Sequence, residues 1–438
     1  MIDAIIQLSS TIVTQVVQNT ELLAKFLPVV LVIELPLILL VIAGIFSWYW
    51  QNRTVVNTYT PNVSFVITCY GEGDAINITI DTLVEQIYPG NIEILVVVDG
   101  AVQNQETYEA AIRAQDKYRN RIDRVVRVIP KWQRGGRVST LNSGLYKAKH
   151  DIVINVDGDT SFDNDMVTKM MRQFVDPNVI ASGGALRVRN WNKNLLTRMQ
   201  SLEYMMSMQG GKTGTSQFGF LNNISGAFGA FRKQQLKRVG GWDTHTAEDL
   251  DLTMRLKQYK RRYPESKLAF TPHAVGHTDA PDTLKNFVLQ RLRWDGDLLF
   301  LYLRKHIKGL TPKLLGWRVF LYTLVYGVLQ NVLLPIFITL FTVYIFASYP
   351  ILFSLSVTMI TYAIYVTLVL IKFTVYLTLI SERKQQDIGM VGWLALYPLY
   401  ALFSRFITAF SILNETFRRS HEESSMAPWW VLKRGRRF

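Results

Sequence analysis

Two kinds of hydrophobic pattern divide the chain. Residues 27–49, 320–347 and 353–380 form apolar runs, each long enough to cross a bilayer, which takes about 20 residues in a helix. Between the first and second runs, short apolar segments alternate with helical stretches of about ten residues. This alternation predicts a parallel sheet wrapped by helices, and therefore an α/β domain placed between membrane segments.

The predicted strands end where ligands bind in such sheets. The four strands are expected at 63–69, 92–98, 125–129 and 152–156. Asp99 follows the second strand and Asp157 ends the fourth, so both carboxylates are expected at the carboxyl edge of the sheet. Cys69, the single cysteine, ends the first strand. We expect it to be a buried structural thiol, and it cannot form an intramolecular disulfide.

The chain is basic, with 48 Lys and Arg residues against 34 Asp and Glu, a net charge of +14. Nucleic-acid binding would explain this charge, but the basic residues cluster beside the apolar runs, where the positive-inside rule predicts them. These residues are Arg304, Lys305, Lys308, Lys313, Arg318, Arg383, Lys384, Arg418 and Arg419. We therefore expect contact with membrane lipid, attraction of a diphosphate-bearing substrate and no nucleic-acid partner.

A fourth apolar run, 388–414, contains Pro398 and Arg405. These two residues predict a re-entrant or interfacial hairpin rather than a membrane crossing.

Three acidic sites precede a Q-x-x-R-W string at 290–294. The first is Asp99, and the second is the pair Asp157 and Asp159 at a strand end, which can share a hard divalent cation. Taken alone, that pair also fits a β-turn. The third, Glu248 and Asp249, opens a charged helix, where acids also complement the helix dipole.

Acidic sites in this order, followed by Q-x-x-R-W and hydrophobic spans, resemble the processive family 2 glycosyltransferases. This group holds the cellulose, chitin, hyaluronan and poly-N-acetylglucosamine synthases. The resemblance covers roughly residues 26–438, and the E-D-L-D-L-T-x-R-L helix is most similar to that of poly-β-1,6-N-acetylglucosamine synthases.

The resemblance implies a GT-A type α/β fold, a Rossmann-like mixed sheet, with a cytosolic domain flanked by transmembrane and interfacial helices of the bacterial inner membrane. It also implies inverting, processive transfer from a UDP-sugar with Mg²⁺ or Mn²⁺, and export of a growing polysaccharide through the enzyme's own spans. A hyaluronan-, chitin- or glucan-type synthase, or a non-processive transferase acting on a lipid-linked sugar, stays open as an alternative.

Residue roles follow from the same resemblance. The donor-binding residues are expected to be Tyr70, Glu72, Asp99, Arg137, Asp157, Gln290 and Arg293. Asp159 is the expected metal ligand, with Asp157 beside it, and Asp249 the expected general base, with Glu248 as its catalytic neighbour. Two departures from the family pattern are Arg137, where relatives carry lysine, and Ala247, where they carry threonine.

The acceptor is expected to contact Trp294, Ser225 and Gly226. Trp294 could alternatively anchor the helix in the membrane, and residues 223–229 could be a tightly packed strand. In the tail, Trp430, Lys433 and Arg434 are expected to gate the site, with a juxtamembrane basic tail as the alternative.

The implied domain boundaries, in chain order, are a peripheral segment at 1–25, a transmembrane helix at 26–50, the catalytic domain at 55–282, interfacial helices at 283–318, transmembrane or re-entrant channel segments at 319–414 and a cytosolic gating tail at 415–438.

Polar residues within the apolar runs are costly in hydrocarbon and predict a sugar channel or contact with a small membrane subunit. They are Glu34, Gln330, Asn331 and Lys372. His273 is expected to be structural, and His277 stays an open candidate near the site.

Overall fold

A computed structural model describes residues 29–52, 59–243 and 246–423, with isolated positions at 10 and 14. Its centre is an eight-stranded sheet. The strands are β1 (Val63–Cys69), β2 (Ile92–Asp99), β3 (Arg124–Lys131), β4 (Ile152–Asp157), β5 (Ser161–Phe162), β6 (Val179–Val188), β7 (Phe228–Arg232) and β8 (Lys267–Thr278). The four strands expected from the sequence correspond to β1–β4.

The sheet is parallel on one side and mixed on the other, in the order β3-β2-β1-β4-β7-β6-β8-β5. β1 pairs in parallel with β2 and β4, and β2 with β3. β7 runs antiparallel to β4 and β6, whereas β8 is parallel to β6 and antiparallel to β5. The carboxyl ends of β1 and β4 are therefore neighbours, and Thr68 pairs with Asp157.

Helices cover both faces of the sheet, which explains why its central strands are continuously apolar. Those of the α/β domain, with the first membrane helix, are α1 (Leu35–Asn52), α2 (Ile76–Val84), α3 (Gln105–Lys117), α4 (Arg137–Lys147), α5 (Met166–Met171), α6 (Leu195–Glu203), α7 (Lys212–Ser216), α8 (Lys233–Arg238) and α9 (Glu248–Arg262). Successive strand residues point to opposite faces, so Phe65 packs in one core with Ile80 and Val66 in the other with Leu141.

In the described part of the chain, seven further α-helices follow the α/β domain. They are α10 (Leu284–Leu299), α11 (Pro312–Leu315), α12 (Trp317–Tyr322), α13 (Leu334–Ser348), α14 (Ile351–Leu379), α15 (Lys384–Ile388) and α16 (Tyr397–Arg418). In the described part of the chain, four helical segments are long and apolar enough to cross a membrane, namely Val32–Asn52, Trp317–Ser348, Ile351–Leu379 and Val391–Arg418.

The hairpin expected within 388–414 is wrong, because Val391–Arg418 is a single helical segment in which a 3₁₀ turn, Val391–Leu396, leads into α16. Pro398 lies in the first turn of α16, where proline's missing N–H removes no helical hydrogen bond. Arg405 is accommodated by an ion pair with Glu34, whose carboxylate also accepts a hydrogen bond from Tyr365. Neither residue therefore interrupts the helix.

The segment 391–418 contacts the α/β domain and α10 along its length. Near one end, the guanidinium of Arg198 lies 4.7 Å from the centre of the Trp393 ring. In its middle, Thr408 donates to Asp295 on α10 at 2.7 Å. Near its other end, Glu415 pairs with Arg304 at 2.8 Å. The helix thus runs beside α10 and stays close to the α/β domain.

A buried ion pair joins the sheet to the membrane helices. Arg187 on β6 pairs with Asp387 on α15, and both side chains are buried. Tyr376 on α14 accepts from Arg187 at 3.1 Å and donates to Gln209 at 2.9 Å. Ser381 donates to Asp387 at 2.6 Å. Since each buried charge has a partner, this joint avoids the cost of an uncompensated charge.

Two glycines bring α1 into backbone contact with α7. A Cβ on Gly44 would lie 2.0 Å from the carbonyl oxygen of Gly214, and a Cβ on Gly214 would lie 2.2 Å from the carbonyl oxygen of Val41. The first membrane helix is therefore held against the α/β domain at a distance that excludes larger residues.

We predict that Gly44→Ala separates these helices and destabilises the protein, since overpacking at backbone costs about 1–3 kcal/mol. The measurement is the melting temperature of detergent-purified protein. Gly392→Ala is the matched control, because a Cβ there meets nothing within 4 Å. Equal melting temperatures for the two variants would contradict the prediction.

Candidate active site

One cavity of about 730 Å³ opens at the carboxyl ends of β1 and β4. Most residues singled out from the sequence line it: Glu72, Arg137, Asp157, Asp159, Ser225, Gly226, Glu248, Asp249, Gln290, Arg293 and Trp294. Residues of α1, α14 and the segment between α12 and α13 line its other side. The fold therefore brings three of the sequence motifs and the membrane helices around a single space.

Asp99 and Tyr70 do not line this cavity. Asp99 is buried and accepts hydrogen bonds from Lys131 at 2.6 Å and from the backbone N–H groups of Gly135 and Gly136 at 2.9 and 2.8 Å. The Tyr70 ring is stacked by the guanidinium of Arg134 at 3.8 Å. Asp99 thus fixes the loop that begins α4, and the donor role expected for both residues stays a prediction.

Arg137, at the start of α4, connects the separate acidic sites. Its guanidinium lies 2.5 Å from Asp157 and 2.5 Å from Glu248, and it donates to the carbonyl oxygen of Gly226 at 2.6 Å. Although burial works against its charge, the two carboxylates hold the pKa of Arg137 above its ordinary value. The sequence predicted phosphate contact for this residue, but in the structure its guanidinium is engaged by protein groups.

Three carboxylates meet beside the β4 end. Burial raises the pKa of Asp159, and the nearby Asp157 raises it further. Burial also raises the pKa of Glu72, whose Oε2 atom is buried without a hydrogen-bond partner in the described part of the chain. Negative charge is therefore crowded here, and one acceptor oxygen is unsatisfied.

This donor set fits a hard cation. Within the described residues, no three or more His, Cys, Asp or Glu side chains are arranged to enclose a metal by themselves. Mg²⁺ is commonly held by one or two carboxylates with water and substrate phosphate completing its shell, so Asp157 and Asp159 suit a metal shared with a diphosphate.

The Glu248–Asp249 pair stands at the beginning of α9, after Ala247, which has a left-handed φ of 51°. Asp249 Oδ2 accepts from the side-chain amide of Asn223 at 2.7 Å and from the N–H of Gly226 at 3.4 Å. Burial raises the pKa of Glu248, despite its pairing with Arg137. The 223–226 segment is thus a loop that holds Asp249, not part of a strand; β7 begins at Phe228.

The Q-x-x-R-W string lies on α10. All of its polar and aromatic residues line the cavity, namely Gln290, Arg291, Arg293 and Trp294, and Arg291 also pairs with Glu203 and contacts Tyr400. Trp294 also packs against the core beneath the sheet. Trp294 therefore lies between this core and the cavity, and its acceptor role stays a prediction.

Asp295, Asp297 and Lys212 are among the cavity residues that the sequence motifs do not include. Burial raises the pKa of Asp295 to about 6 and that of Asp297 to about 7. Asp297 accepts a hydrogen bond from Thr246, next to the left-handed Ala247. Lys212 lies on α7. Only the W-D-G-D spacing after the string, at 294–297, could have drawn attention to the two acids.

The histidines lie apart from the cavity. His277 Nε2 is 2.9 Å from Asp163, which also pairs with Arg383, and His273 contacts the carbonyl oxygen of Ile380 at 3.0 Å. Both contribute to the joint with the membrane helices. The expected gating residues Trp430, Lys433 and Arg434 lie outside the described residues.

Residues 61–296, more than half of the chain, match the sequence profile of the family described as glycosyltransferase like family 2. The chain belongs to this family. The resemblance inferred from its motifs is thereby confirmed, and the protein is a sugar-nucleotide-dependent glycosyltransferase.

Two relatives with named activities are similar to this chain. A poly-beta-1,6-N-acetyl-D-glucosamine synthase of Staphylococcus epidermidis is 25% identical over 346 residues, which cover 77% of this chain and 79% of the relative. A synthase of the same name from Staphylococcus aureus is 28% identical over 233 residues, 53% of each chain. These relatives extend the similarity beyond the α/β domain.

A solved structure confirms the GT-A fold. A mannosyltransferase of Pyrobaculum calidifontis, in complex with GDP-Man and Mn²⁺, is similar with a TM-score of 0.54. The two chains are 17% identical, and the match covers 87% of this chain and 99% of that one. At this identity the similarity shows a shared fold.

We predict that Asp297 makes the protein less stable as pH rises from about 4 to about 7. An unfolded aspartate has a pKa of about 4, whereas the folded pKa is about 7, so the folded state binds the extra proton in this window and loses stability on deprotonation. Asp297→Asn keeps an acceptor oxygen for Thr246 and cannot titrate.

The measurement is the melting temperature from pH 5 to 8 for the natural protein and for Asp297→Asn. Other buried acids add to the pH dependence of both proteins, so the expected result is a smaller decline in the variant. Identical declines would show that Asp297 does not carry this proton.

Proposed function

We propose that this glycosyltransferase is an inverting, processive polysaccharide synthase of the bacterial inner membrane, with its α/β domain in the cytosol. It elongates a β-linked polymer of N-acetylglucosamine from a UDP-sugar and exports the product through its own membrane helices. The observation that carries the proposal is the single cavity whose walls include Asp159, Asp249 and Trp294 together with Asn331 and Lys372 of the membrane helices. The names of the relatives support the choice of polymer.

The donor side of the cavity is the strand edge. Asp157 and Asp159 would hold Mg²⁺ or Mn²⁺, which when bound offsets the charge that develops on the departing diphosphate. Arg293 and Gln290 contact the diphosphate from α10, and Tyr70, Glu72 and Asp99 contact the nucleoside. Tyr70, Glu72 and Asp99 lie at the carboxyl edge of the sheet, where parallel α/β folds bind nucleotides.

Arg137 acts by position. Its guanidinium lies between the carboxylates of Asp157 and Glu248 and offsets the repulsion between them. Without this cation the two carboxylates would repel each other, and Asp157 would lose the contact that holds its side chain in place.

The acceptor side is formed by α9, α10 and the 223–226 loop. Asp249 removes the proton from the acceptor hydroxyl, and its carboxylate is aimed by Asn223 and by the N–H of Gly226. Trp294 provides a flat face for the terminal sugar, and the small residues Ser225 and Gly226 let backbone approach it. One base on the side opposite the leaving group gives inversion in a single displacement.

Export uses the membrane side of the cavity. Gln330 and Asn331, before α13, and Lys372, on α14, place polar groups among apolar helices and line the cavity. Such groups in a membrane mark a polar pathway. We assign α16 to the membrane interface, because it stays beside α10 from Thr408, which donates to Asp295, to Glu415, which lies against Gly296.

The proposal is tested with protein reconstituted in lipid nanodiscs and a panel of radiolabelled UDP-sugars, with and without Mg²⁺ or Mn²⁺. We expect metal-dependent polymer from UDP-N-acetylglucosamine that a specific glycosidase digests. A single-sugar product would contradict processivity, and release of UDP from none of the donors would contradict the activity itself.

We predict that Asp249→Asn retains UDP binding but loses polymer synthesis by about 10² to 10⁴-fold, as is typical when a general base is removed. Asp279→Asn is the matched control, because it removes another carboxylate from the cavity wall, one that pairs with Arg189. Polymer yield and UDP affinity are measured for both. Residual synthesis near the control's level would remove the base role from Asp249.

We predict that Trp294→Ala lowers polymer yield more than it lowers UDP release, because the acceptor loses its platform while the donor contacts stay in place. Trp317→Ala removes an exposed tryptophan at the start of α12 and controls for loss of membrane anchoring. Both products are measured in one preparation. An equal fall in polymer and UDP would show that Trp294 acts on the donor or on folding.

A further inference from the structure

The cavity has a membrane half that differs in charge from the rest. We define this half as the lining residues contributed by α1, α7 and the helices after α10. Its charged residues are Lys212 on α7 and Lys372 on α14, and it contains no acid. The other half contains the crowded carboxylates of the strand edge and of α9.

These two lysines lack counterions. The arginines Arg137 and Arg291 in the other half pair with Asp157 and Glu203. By contrast, the ammonium group of neither Lys212 nor Lys372 makes an ion pair or hydrogen bond with any residue in the described ranges 29–52, 59–243 and 246–423.

Acids lie near both lysines without forming an ion pair with either. Glu34, whose negative charge acts on Lys372, is already paired with Arg405. Burial lowers the pKa of Lys212 to about 8, against the opposing effect of Asp249. A cation without a partner in a poorly solvated space is costly, which favours an anionic ligand between the two.

The surrounding walls indicate what that anion is attached to. Gln330 Oε1 is buried without a hydrogen-bond partner among the described residues, and the stacked rings of Tyr322 and Tyr326 lie on the same side. An amide acceptor and aromatic faces suit a sugar. On α1, Leu37 and Val41 form an apolar wall that suits an alkyl chain.

We propose that Lys212 and Lys372 form a phosphate-binding subsite for the acceptor on which a new chain is started, a glycosyl phosphate. This rests on the proposed transferase function and adds the class of its first acceptor. The sugar would reach Asp249, and the phosphate would lie against the two ammonium groups. Neither a neutral polymer nor the UDP-sugar donor supplies a phosphate at this place. Lysine binds phosphate as a compact point charge.

Three probes separate the features of this ligand: N-acetylglucosamine 1-phosphate, a decyl glycoside of N-acetylglucosamine, and the decyl phosphodiester of N-acetylglucosamine. Binding is measured by calorimetry in nanodiscs of uncharged lipid, with saturating UDP and Mg²⁺ so that the donor site is filled. We expect the decyl phosphodiester to bind at least about tenfold more tightly than the decyl glycoside, the value of one charge-assisted hydrogen bond.

The double variant K212M/K372M should lose this difference, and K212R/K372R, which keeps both charges, should retain it. Equal binding of decyl glycoside and decyl phosphodiester, or a preference that persists in K212M/K372M, overturns the subsite. N-acetylglucosamine 1-phosphate identifies the source: binding equal to that of the decyl phosphodiester indicates a soluble sugar phosphate, and weaker binding indicates a lipid-linked one.

Failure of this proposal is distinguishable from failure of the proposed function. Polymer formed by the natural protein, measured in the same nanodiscs, reports on the proposed function alone. A protein that makes polymer but shows no phosphate preference retains the proposed function and lacks the subsite.

Discussion

At the carboxyl edge of the sheet, the guanidinium of Arg137 lies between the carboxylates of Asp157 and Glu248 and also binds the carbonyl oxygen of Gly226. These groups come from β4, from the beginning of α9 and from the loop before β7. Each is buried or partly buried, so removing the cation would leave like charges facing one another in a poorly solvated space. The relative positions of the donor edge and the Asp249 helix therefore depend on this one side chain.

The same edge shows why a cation would be useful. Glu72, Asp157 and Asp159 crowd together, and Arg137 pairs with only one of them. Burial raises the pKa of both Glu72 and Asp159, so the protein's own groups do not balance the negative charge at this site. A metal shared with a diphosphate would offset the charge of Asp157 and Asp159.

The membrane helices are part of this site rather than an attachment to it. Gly44 and Gly214 bring backbones into contact, and the buried pair Arg187–Asp387 fixes the end of the long helix α14 to β6. Rigid contacts at both places let one cavity extend from the strand edge to residues such as Lys372. The proposed passage of the product into the membrane needs such continuity.

The sequence by itself determined the α/β domain, its first four strands, the apolar helices and the family, because strand periodicity, long apolar runs and short motifs are local properties of the chain. It also placed Asp157, Asp159, Asp249 and Trp294 at one site through the resemblance. Only the tertiary structure decided that Arg137 pairs with two carboxylates and that Pro398 begins a helix instead of breaking one. It also decided which lysines of the cavity have no ion-pair partner among the described residues. Those outcomes depend on pairing between residues far apart in the chain, and no local pattern specifies which charges meet once the helices and the sheet have packed.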